Sequence, residues 1–528
     1  MNALIAIIPV LLLFILMLGF KVSGYKSALI TLIVTACIAL WIAPATGMVP
    51  EKFADDSIYS LVGWSFVEGV LKAIFPILLI ILMAIYSYNV LVESKAIEVI
   101  KRQFTTLTSD KGVLVLLMVW GFGGLLEGMA GFGTAVAIPA AILIGLGFKP
   151  MFSALVSLIG NTVATGFGAV GVPVITLCNE ITPGGAAGME TLCEVSAFAI
   201  IQLAPLFILV PFVILMLTDR KAWMKNVTLA IWTGGISLGV QLTCATFLGA
   251  ETPAIIGSIA AIAAIIIYDR LFIRKRDKSR PTSNFSAGET LKAWSVYLFI
   301  LALILISGAL CPPVNNFLKG HLVSAIPLPI IGSTFKFGWI SNAALMLFIG
   351  SVAGGVIQGL TVRQLTVVMA RTLVNLRFTA LTIICLISLA SIMNYSGMIA
   401  AIAAGLVAIS GSFYPLFAPL IGAIGTFVTG SDTSANILFG KLQSNVAHQL
   451  GMNGQLSVTG FTGSQADWLA AANTAGATGG KMISPQSIAI ATAACDMKGA
   501  DDAILRKAIP YAACYILICG LIVYLSLC

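Results

Sequence analysis

The chain has 528 residues, of which 59% are hydrophobic and only 9% are charged, and its formal net charge is +8. Soluble domains carry roughly a quarter charged residues, so this composition excludes a soluble globular protein and predicts an all-α polytopic membrane protein. The basic residues fall in short loops between apolar runs, where they indicate membrane topology and give no sign of a nucleic-acid partner.

Apolar runs near the ~20 residues that a bilayer requires predict about 12 transmembrane helices. The predicted spans are 3–20, 27–43, 70–92, 151–178, 194–218, 226–248, 253–273, 293–311, 338–359, 378–394, 466–495 and 505–527. Two further stretches, 112–147 and 413–448, contain Gly-rich segments at their middles. We expect each to form a re-entrant helical hairpin that enters and leaves the membrane on one side.

The distribution of Lys and Arg predicts the orientation. When the loop 270–292 is placed in the cytoplasm, all but six of the 29 basic residues fall on the cytoplasmic side. This asymmetry agrees with the positive-inside rule. Those six are Lys52, Lys72, Lys319, Lys336, Lys441 and Lys481. Both termini are then predicted outside, and the first apolar run is interpreted as a retained helix because it lacks a basic segment ahead of it.

The two halves of the chain are predicted to form an inverted repeat, which is typical of secondary transporters. The predicted units are the first repeat (1–218, with scaffold spans in 1–92, the hairpin 112–147 and a broken helix at 151–178), connecting spans with a basic cytoplasmic loop (219–292), and the second repeat (293–528, with the hairpin 413–448 and a broken helix at 466–495).

Similar polar features occur in the same order in both halves. The Gly-rich segments 130–134 and 429–434 are each followed by an Asn-Thr pair, and a proline lies twelve residues after each Asn. Polar backbone at membrane depth is tolerated only where protein buries it or where it lines a wet cavity. Paired interruptions in corresponding segments therefore predict a transporter binding site.

Few ionisable residues lie at the predicted membrane depth, and such residues are functional by default. Glu127 precedes the first Gly-rich segment, Asp432 lies in the second, and Lys481 lies in the second broken helix. We expect Lys481 to bind an anionic substrate, or to pair with a carboxylate when the site is empty. We expect Glu127 or Asp432 to carry a proton. The alternative is a structural ion pair, for example between Asp432 and Lys481.

Polar and glycine residues of the interruptions are predicted to complete the substrate site. Half-helix N-termini attract a carboxylate, hydroxyl and amide groups can bond substrate oxygens, and glycines let the backbone approach closely. For each residue the alternative is that it satisfies a freed backbone group in a kinked helix. The set is Gly131, Gly133, Thr134, Asn161, Thr162, Ser431, Thr433, Ser434, Asn473, Thr474 and Ser484.

The sequence contains no motif for metal binding, ATP hydrolysis or enzymatic catalysis. There is no Cys/His spacing of the metal-ligand type, no P-loop and no nucleophile–base arrangement, so we predict no metal site, no cofactor, no ATP-driven pumping and no enzymatic activity. Cys178 and Cys193 flank one polar loop, and a disulfide between them is the less favoured alternative.

Three motifs, 127–139, 430–436 and 478–486, resemble those of the bacterial L-lactate permease family, which includes glycolate permeases. This resemblance covers the whole chain. It implies proton-coupled symport of L-lactate, with D-lactate and glycolate as further substrates, through the bacterial inner membrane. A looser resemblance to the ion-transporter superfamily implies a scaffold, a moving transport domain of the elevator type and, by analogy only, a homodimer.

Two other transport functions stay open from the residues alone. Backbone carbonyls and Asn, Ser and Thr oxygens at two symmetric interruptions would suit sodium, so a sodium-coupled carboxylate symporter is the first alternative. An ion/proton antiporter that uses Asp432 as its ion-binding carboxylate is the second.

Overall fold

The computed structural model describes residues 2–527 except 21, 54, 106, 107, 109, 132, 183, 184, 274–285, 308–310, 498 and 499. The described chain is mostly helical. Within it, ten helices are long and apolar enough to cross a membrane, and shorter apolar helices of 10–17 residues accompany them. The protein is therefore a multi-pass membrane protein.

Seven helices precede residue 106. Several are joined through π-helical segments, and in one of these Phe75 has an extended backbone (φ −122°, ψ 108°) because Pro76 follows it. The helices are α1 (Asn2–Ala6), α2 (Ile8–Phe14), α3 (Gly24–Cys37), α4 (Ala43–Ala45), α5 (Ile58–Lys72), α6 (Leu79–Glu93) and α7 (Ala96–Thr105). The π-helical segments are Ile15–Gly19, Ile38–Ile42 and Ala73–Leu78, and a 3₁₀ turn covers Glu51–Phe53.

The first Gly-rich segment joins two helical arms that pack against each other. Asp110 caps the first arm, since its Oδ1 accepts a hydrogen bond from the backbone N–H of Val113 at 3.0 Å. A second run, from residue 150 to 181, is interrupted twice. The helices are α8 (Lys111–Leu116), the π segment Leu117–Phe122, α9 (Gly123–Met129), α10 (Thr134–Gly145), α11 (Pro150–Gly160), α12 (Thr162–Thr165) and α13 (Gly168–Ile181).

The middle of the chain consists of long helices and one antiparallel hairpin, in which Val323 pairs with Gly338 and Leu328 with Ser333. The elements are α14 (Met189–Thr218), α15 (Trp223–Leu248), α16 (Pro253–Tyr268) with the π segment Asp269–Ile273, α17 (Ala287–Ser307), α18 (Pro312–Gly320), β1 (Val323–Leu328), β2 (Ser333–Gly338), α19 (Ala343–Ile357), α20 (Val362–Tyr395) and α21 (Met398–Ser410).

The last part of the chain repeats the order of arm, turn, arm and interrupted helix. A small antiparallel hairpin, β3–β4, precedes the interrupted helix. The elements are the 3₁₀ turn Gly411–Phe413, α22 (Tyr414–Thr429), α23 (Asp432–Gln449), β3 (Gln455–Val458), β4 (Phe461–Ser464), α24 (Gln465–Lys481), α25 (Pro485–Ala494) and α26 (Asp501–Leu525).

The helices pack in two groups. In the first, which we call the frame bundle, α20 packs against α3, α5 and α6, while α19 packs against α6 and α17. In the second, the core bundle, α14 packs against α15 and α24, α22 against α24 and α26, and α13 against α23. Both pairs of arms and both interrupted helices belong to the core bundle. The frame helix α20 and the separate helix α21 contact its arm α23, and the frame helix α6 contacts α13.

Candidate functional site

Glycines shape both turns between the arms. Gly131 and Gly133 have φ of 62° and 85°, and Gly430, which ends α22, has φ of 72°, all in the left-handed region that favours glycine. A Cβ on Gly430 would collide with the side chain of Gln486. The glycine therefore lets the start of α25 lie directly against the second turn.

The two interrupted helices are broken by different means. In α13, Ala169 and Val170 adopt left-handed φ of 45° and 60°, which is a strained conformation, above all for a β-branched residue. Between α24 and α25 the break is built from ordinary capping: Ser484 Oγ accepts from the N–H of Ser487 at 3.2 Å, and Pro485 occupies the first helical turn.

The turns and breaks surround a cavity of about 480 Å³ that lies between the core and frame bundles. Its frame wall includes Met17, Tyr25 and Phe378, and the rings of Tyr25 and Phe378 stack with centroids 4.7 Å apart. Its core wall includes eight of the residues that the sequence predicted for the site, namely Glu127, Gly131, Gly133, Ser431, Asp432, Thr433, Ser434 and Lys481. Residues from the two halves of the chain thus meet in one cavity.

Lys481 and Glu127 form a buried ion pair in the wall of this cavity. The distance from Lys481 Nζ to Glu127 Oε1 is 2.7 Å, and the two side chains are 12% and 2% exposed. The other carboxylate oxygen, Glu127 Oε2, has no hydrogen-bond partner among the described residues. A buried carboxylate with one unpaired oxygen is costly unless it is paired or neutralised. The arrangement can therefore respond to a proton or to a competing anion.

Asp432 lies apart from this pair in the structure. It is buried at the first position of α23, and both of its oxygens accept from Thr474 Oγ1, at 3.1 and 3.0 Å. The Thr474 hydroxyl in turn accepts from Asn436 Nδ2 at 3.1 Å. The N-terminal end of a helix also favours a negative charge. Asp432 is thus held by one neutral donor, the Thr474 hydroxyl, and its salt bridge with Lys481, weighed as an alternative, is not formed.

The remaining predicted residues line no part of this cavity. Thr134 donates to the Gly131 carbonyl at 2.8 Å, Thr162 donates to the Ile159 carbonyl at 2.8 Å, and Ser484 caps α25. Thr474 supports Asp432 from behind. These four side chains stabilise local backbone or a neighbour.

The two equivalent asparagines differ from each other. Asn473 donates to Ala435 O at 3.2 Å and to Asn436 Oδ1 at 2.9 Å, and accepts from Gln443 Nε2 at 3.2 Å. Asn161 is equally buried, yet neither atom of its amide has a partner in the described chain. Neither residue reaches the cavity.

The structure adds cavity residues that sequence reasoning missed. Gln486 lies in the 478–486 motif and next to a predicted break, so its position could have suggested it. Thr165 lies in the first interrupted helix. Thr379 and Thr382 come from the middle of an apolar frame helix, where no local signal marks them.

Metal and disulfide chemistry receive no further support. Across the residues that the structure describes, no group of three His, Cys, Asp or Glu side chains is placed to hold a metal ion. Cys178 and Cys193 are both free thiols.

The comparisons with known proteins agree with the resemblance of the motifs. The profile of the family described as L-lactate permease matches residues 2–527. The L-lactate permease of Streptococcus iniae is 36% identical over 86% of this chain and 92% of its own length, and the glycolate permease GlcA of Escherichia coli is 32% identical over 100% and 96%.

A solved structure shares the fold. The YdaH transporter of Alcanivorax borkumensis superposes with a TM-score of 0.54 at 12% identity, over 94% of this chain and 98% of its own. This likeness concerns the fold alone. Together with the match along the whole sequence, the comparisons confirm that the chain belongs to the L-lactate permease family.

Proposed function

We propose that the chain is a proton-coupled symporter that imports L-lactate, with D-lactate and glycolate as further substrates, through the bacterial inner membrane. The observation that carries the proposal is the buried Lys481–Glu127 pair in the wall of a cavity large enough for a small carboxylate. Relatives named L-lactate permease and glycolate permease support the substrate class.

The ion pair suggests how the proton is coupled to the anion. In the empty site, Glu127 neutralises Lys481. When a proton binds to Glu127, the carboxyl group becomes neutral and Lys481 is free to bind the substrate carboxylate. The anion then takes the place of Glu127 as the partner of the lysine. Proton and anion therefore bind together, and neither is favoured alone.

Charge balance supports the same scheme. The empty pair has one positive and one negative charge, and the loaded site has Lys481, the substrate anion and a neutral Glu127. Both states have a net charge of zero, so neither places an uncompensated charge in a region of low dielectric constant. A carrier must cross in both states, and this pair permits both crossings.

The proposed transport cycle is of the elevator type. The core bundle, with its two arm pairs as re-entrant hairpins among about 12 spans, moves against the frame bundle and carries the site. The cavity wall extends to Tyr25 and Phe378, which adjoin the basic residues Lys26 and Arg377. With basic residues in the cytoplasm, the cavity faces inward and both termini lie outside. A homodimer is proposed from the fold resemblance alone.

Liposomes that contain purified protein and an internal pH dye test the function directly. L-lactate added outside without sodium should acidify the interior faster than in protein-free liposomes, which correct for diffusion of undissociated lactic acid. Uptake that appears only with sodium would overturn proton coupling in favour of the sodium symporter. Proton movement driven by sodium and insensitive to lactate would instead support the antiporter.

Two variants separate the roles of the pair. Lys481→Ala should reduce both acidification and exchange of labelled lactate by about tenfold or more, since a charged hydrogen bond to the substrate is lost. Glu127→Gln should lose acidification but keep lactate–lactate exchange, because the neutral amide resembles a protonated carboxyl and leaves the lysine free. The control is Lys149→Ala, an exposed lysine at the start of α11.

Specific results would contradict these roles. Normal exchange in Lys481→Ala would show that this lysine does not bind the anion. Normal acidification in Glu127→Gln would remove Glu127 as the proton carrier, and Asp432→Asn would then be measured in the same assay.

A further inference from the structure

Gln486 is a polar residue of the cavity whose side chain is not used by the fold. It lies in the first turn of α25, lines the cavity and is exposed there. No hydrogen bond joins its amide to any other residue that the structure describes. The amide offers two donors and one acceptor oxygen, which makes it a free two-way hydrogen-bonding group beside the site.

The position of this amide is specified by the structure. A Cβ on Gly430 would collide with Oε1 of Gln486, so the absence of a side chain at Gly430 gives the amide its place against the second turn. Lys481 ends α24, and the short break 482–484 separates it from α25. The ammonium group and the amide therefore extend into the same cavity from the two sides of one break.

Several other hydroxyl groups of the cavity are engaged by their own helices. Thr165 donates to the Asn161 carbonyl, Thr382 to the Phe378 carbonyl at 2.9 Å and Thr429 to the Gly425 carbonyl at 2.8 Å. Gln486 is the only carboxamide among the described residues that line this cavity. Its amide can both donate and accept, so Gln486 is able to bind a second polar atom of a ligand held by Lys481.

The proposed substrates contain such a second polar atom. Lactate and glycolate share a carboxylate and a hydroxyl on the adjacent carbon, and differ by one methyl group. The carboxylate needs a cation, while the hydroxyl needs a neutral partner that can both donate and accept. A site that bonds a substrate hydroxyl rejects an analogue without it, because its polar group is then left unpaired.

We propose that the side-chain amide of Gln486 binds the 2-hydroxyl group of the substrate while Lys481 binds its carboxylate, which makes the transporter selective for 2-hydroxy monocarboxylates over simple monocarboxylates. This inference rests on the proposed function, since it names the substrate group, the 2-hydroxyl, that the same site recognises. Gln486 then distinguishes substrates with a 2-hydroxyl from those without it, and Lys481 recognises the negative charge of the carboxylate.

The test is competition against lactate exchange in liposomes. Labelled L-lactate exchange is inhibited with unlabelled L-lactate and with propionate, which has the same carbon chain without the hydroxyl. The readout is the half-inhibitory concentration of propionate divided by that of unlabelled L-lactate. Gln486→Met keeps the length of the side chain and removes the amide. It should lower this ratio about tenfold, the effect of one lost hydrogen bond of ordinary strength, through weaker lactate binding and unchanged propionate binding.

Controls keep the outcome decisive. Gln455→Leu removes an exposed amide from β3, outside the cavity, and should leave the ratio unchanged. An unchanged ratio in Gln486→Met, or an equal loss for lactate and propionate, would overturn the proposal. If Gln486→Met does not fold, we measure Gln486→Asn, which retains the amide on a shorter side chain. An unchanged ratio in Gln486→Asn, with intact lactate exchange, would also overturn the proposal. Failure of the wild-type protein to exchange lactate would instead overturn the proposed function.

Discussion

At the residue scale, identical sequence features acquire different roles. Each Asn-Thr pair follows a Gly-rich turn, yet Asn473 has three side-chain hydrogen bonds and Asn161 has none within the described chain. The reason lies in the neighbouring arms. The arm α23 provides Asn436 and Gln443, whereas α10 is apolar throughout apart from Thr134. Asn473 is therefore part of a buried polar network in the core bundle.

A pair of matched substitutions tests this difference. Asn473→Leu should destabilise the protein by about 2–4 kcal/mol, because it leaves Asn436 and Gln443 buried with unmet hydrogen bonds. Asn161→Leu loses no hydrogen bond and should change stability by less than about 1 kcal/mol. The thermal unfolding midpoints of both variants in detergent measure the contrast. Equal losses would show that Asn161 has a partner of comparable strength.

At the scale of elements, close approach of helices holds the second half of the site. A Cβ on Gly476 or Gly480 of α24 would collide with the carbonyl oxygens of Pro419 and Ala423 on α22, and a Cβ on Gly422 would collide with the Asn473 carbonyl. Small residues let helix backbones pack closely in a membrane, where burial of apolar surface contributes little. The pairing of α22 with α24 brings the second turn to the level of Lys481.

This packing predicts the effect of one added methyl group. Gly476→Ala should destabilise the protein by about 1–3 kcal/mol, the usual cost of overpacking a tight contact, and should impair lactate exchange because the second turn is displaced. Gly239→Ala is the matched control, since a Cβ there meets nothing within 4 Å. It should be neutral or stabilising by up to about 1 kcal/mol through helix propensity. Similar stability of the two variants would contradict the packing argument.

At the scale of the whole molecule, a buried ion pair of the frame lies where the frame contacts the core. Glu68 is 1% exposed and accepts from Ser391 Oγ at 3.0 Å and from Tyr395 OH at 2.9 Å. Its ion pair with Lys72 is 3.4 Å long. The stem of Lys72 covers Gly185 of the core bundle, where a Cβ would collide with it. A frame lysine thus contacts the loop that joins α13 to α14 of the core bundle.

Removing one partner of this pair should destabilise the protein strongly. Lys72→Met leaves a buried carboxylate without its cation and should cost about 3–5 kcal/mol. The double variant Glu68→Gln, Lys72→Met removes both charges of this pair and should recover part of that loss in the thermal unfolding midpoint. Arg371→Met breaks an exposed pair with Glu93 and should cost less than about 1 kcal/mol. A double variant less stable than Lys72→Met alone would contradict this account.

Composition and local pattern determined much of this protein by themselves. Hydropathy, together with the glycines and prolines that interrupt two pairs of apolar segments, identified a multi-pass transporter, and three motifs identified its family. These properties depend on residues close in sequence, because helix length, turn geometry and helix breaks are local.

The tertiary structure alone decided which residues meet. Lys481 pairs with Glu127, 354 positions away in sequence, and Asp432 is held instead by Thr474. The frame wall of the cavity, with Tyr25 and Phe378, carries no local signal at all. Partners across such distances are set by how the helices of two bundles pack, and spacing along one chain does not contain that information. The sequence therefore locates the candidate site through the interruptions in its helices. Which side chains form ion pairs and hydrogen bonds there depends on how the helices pack.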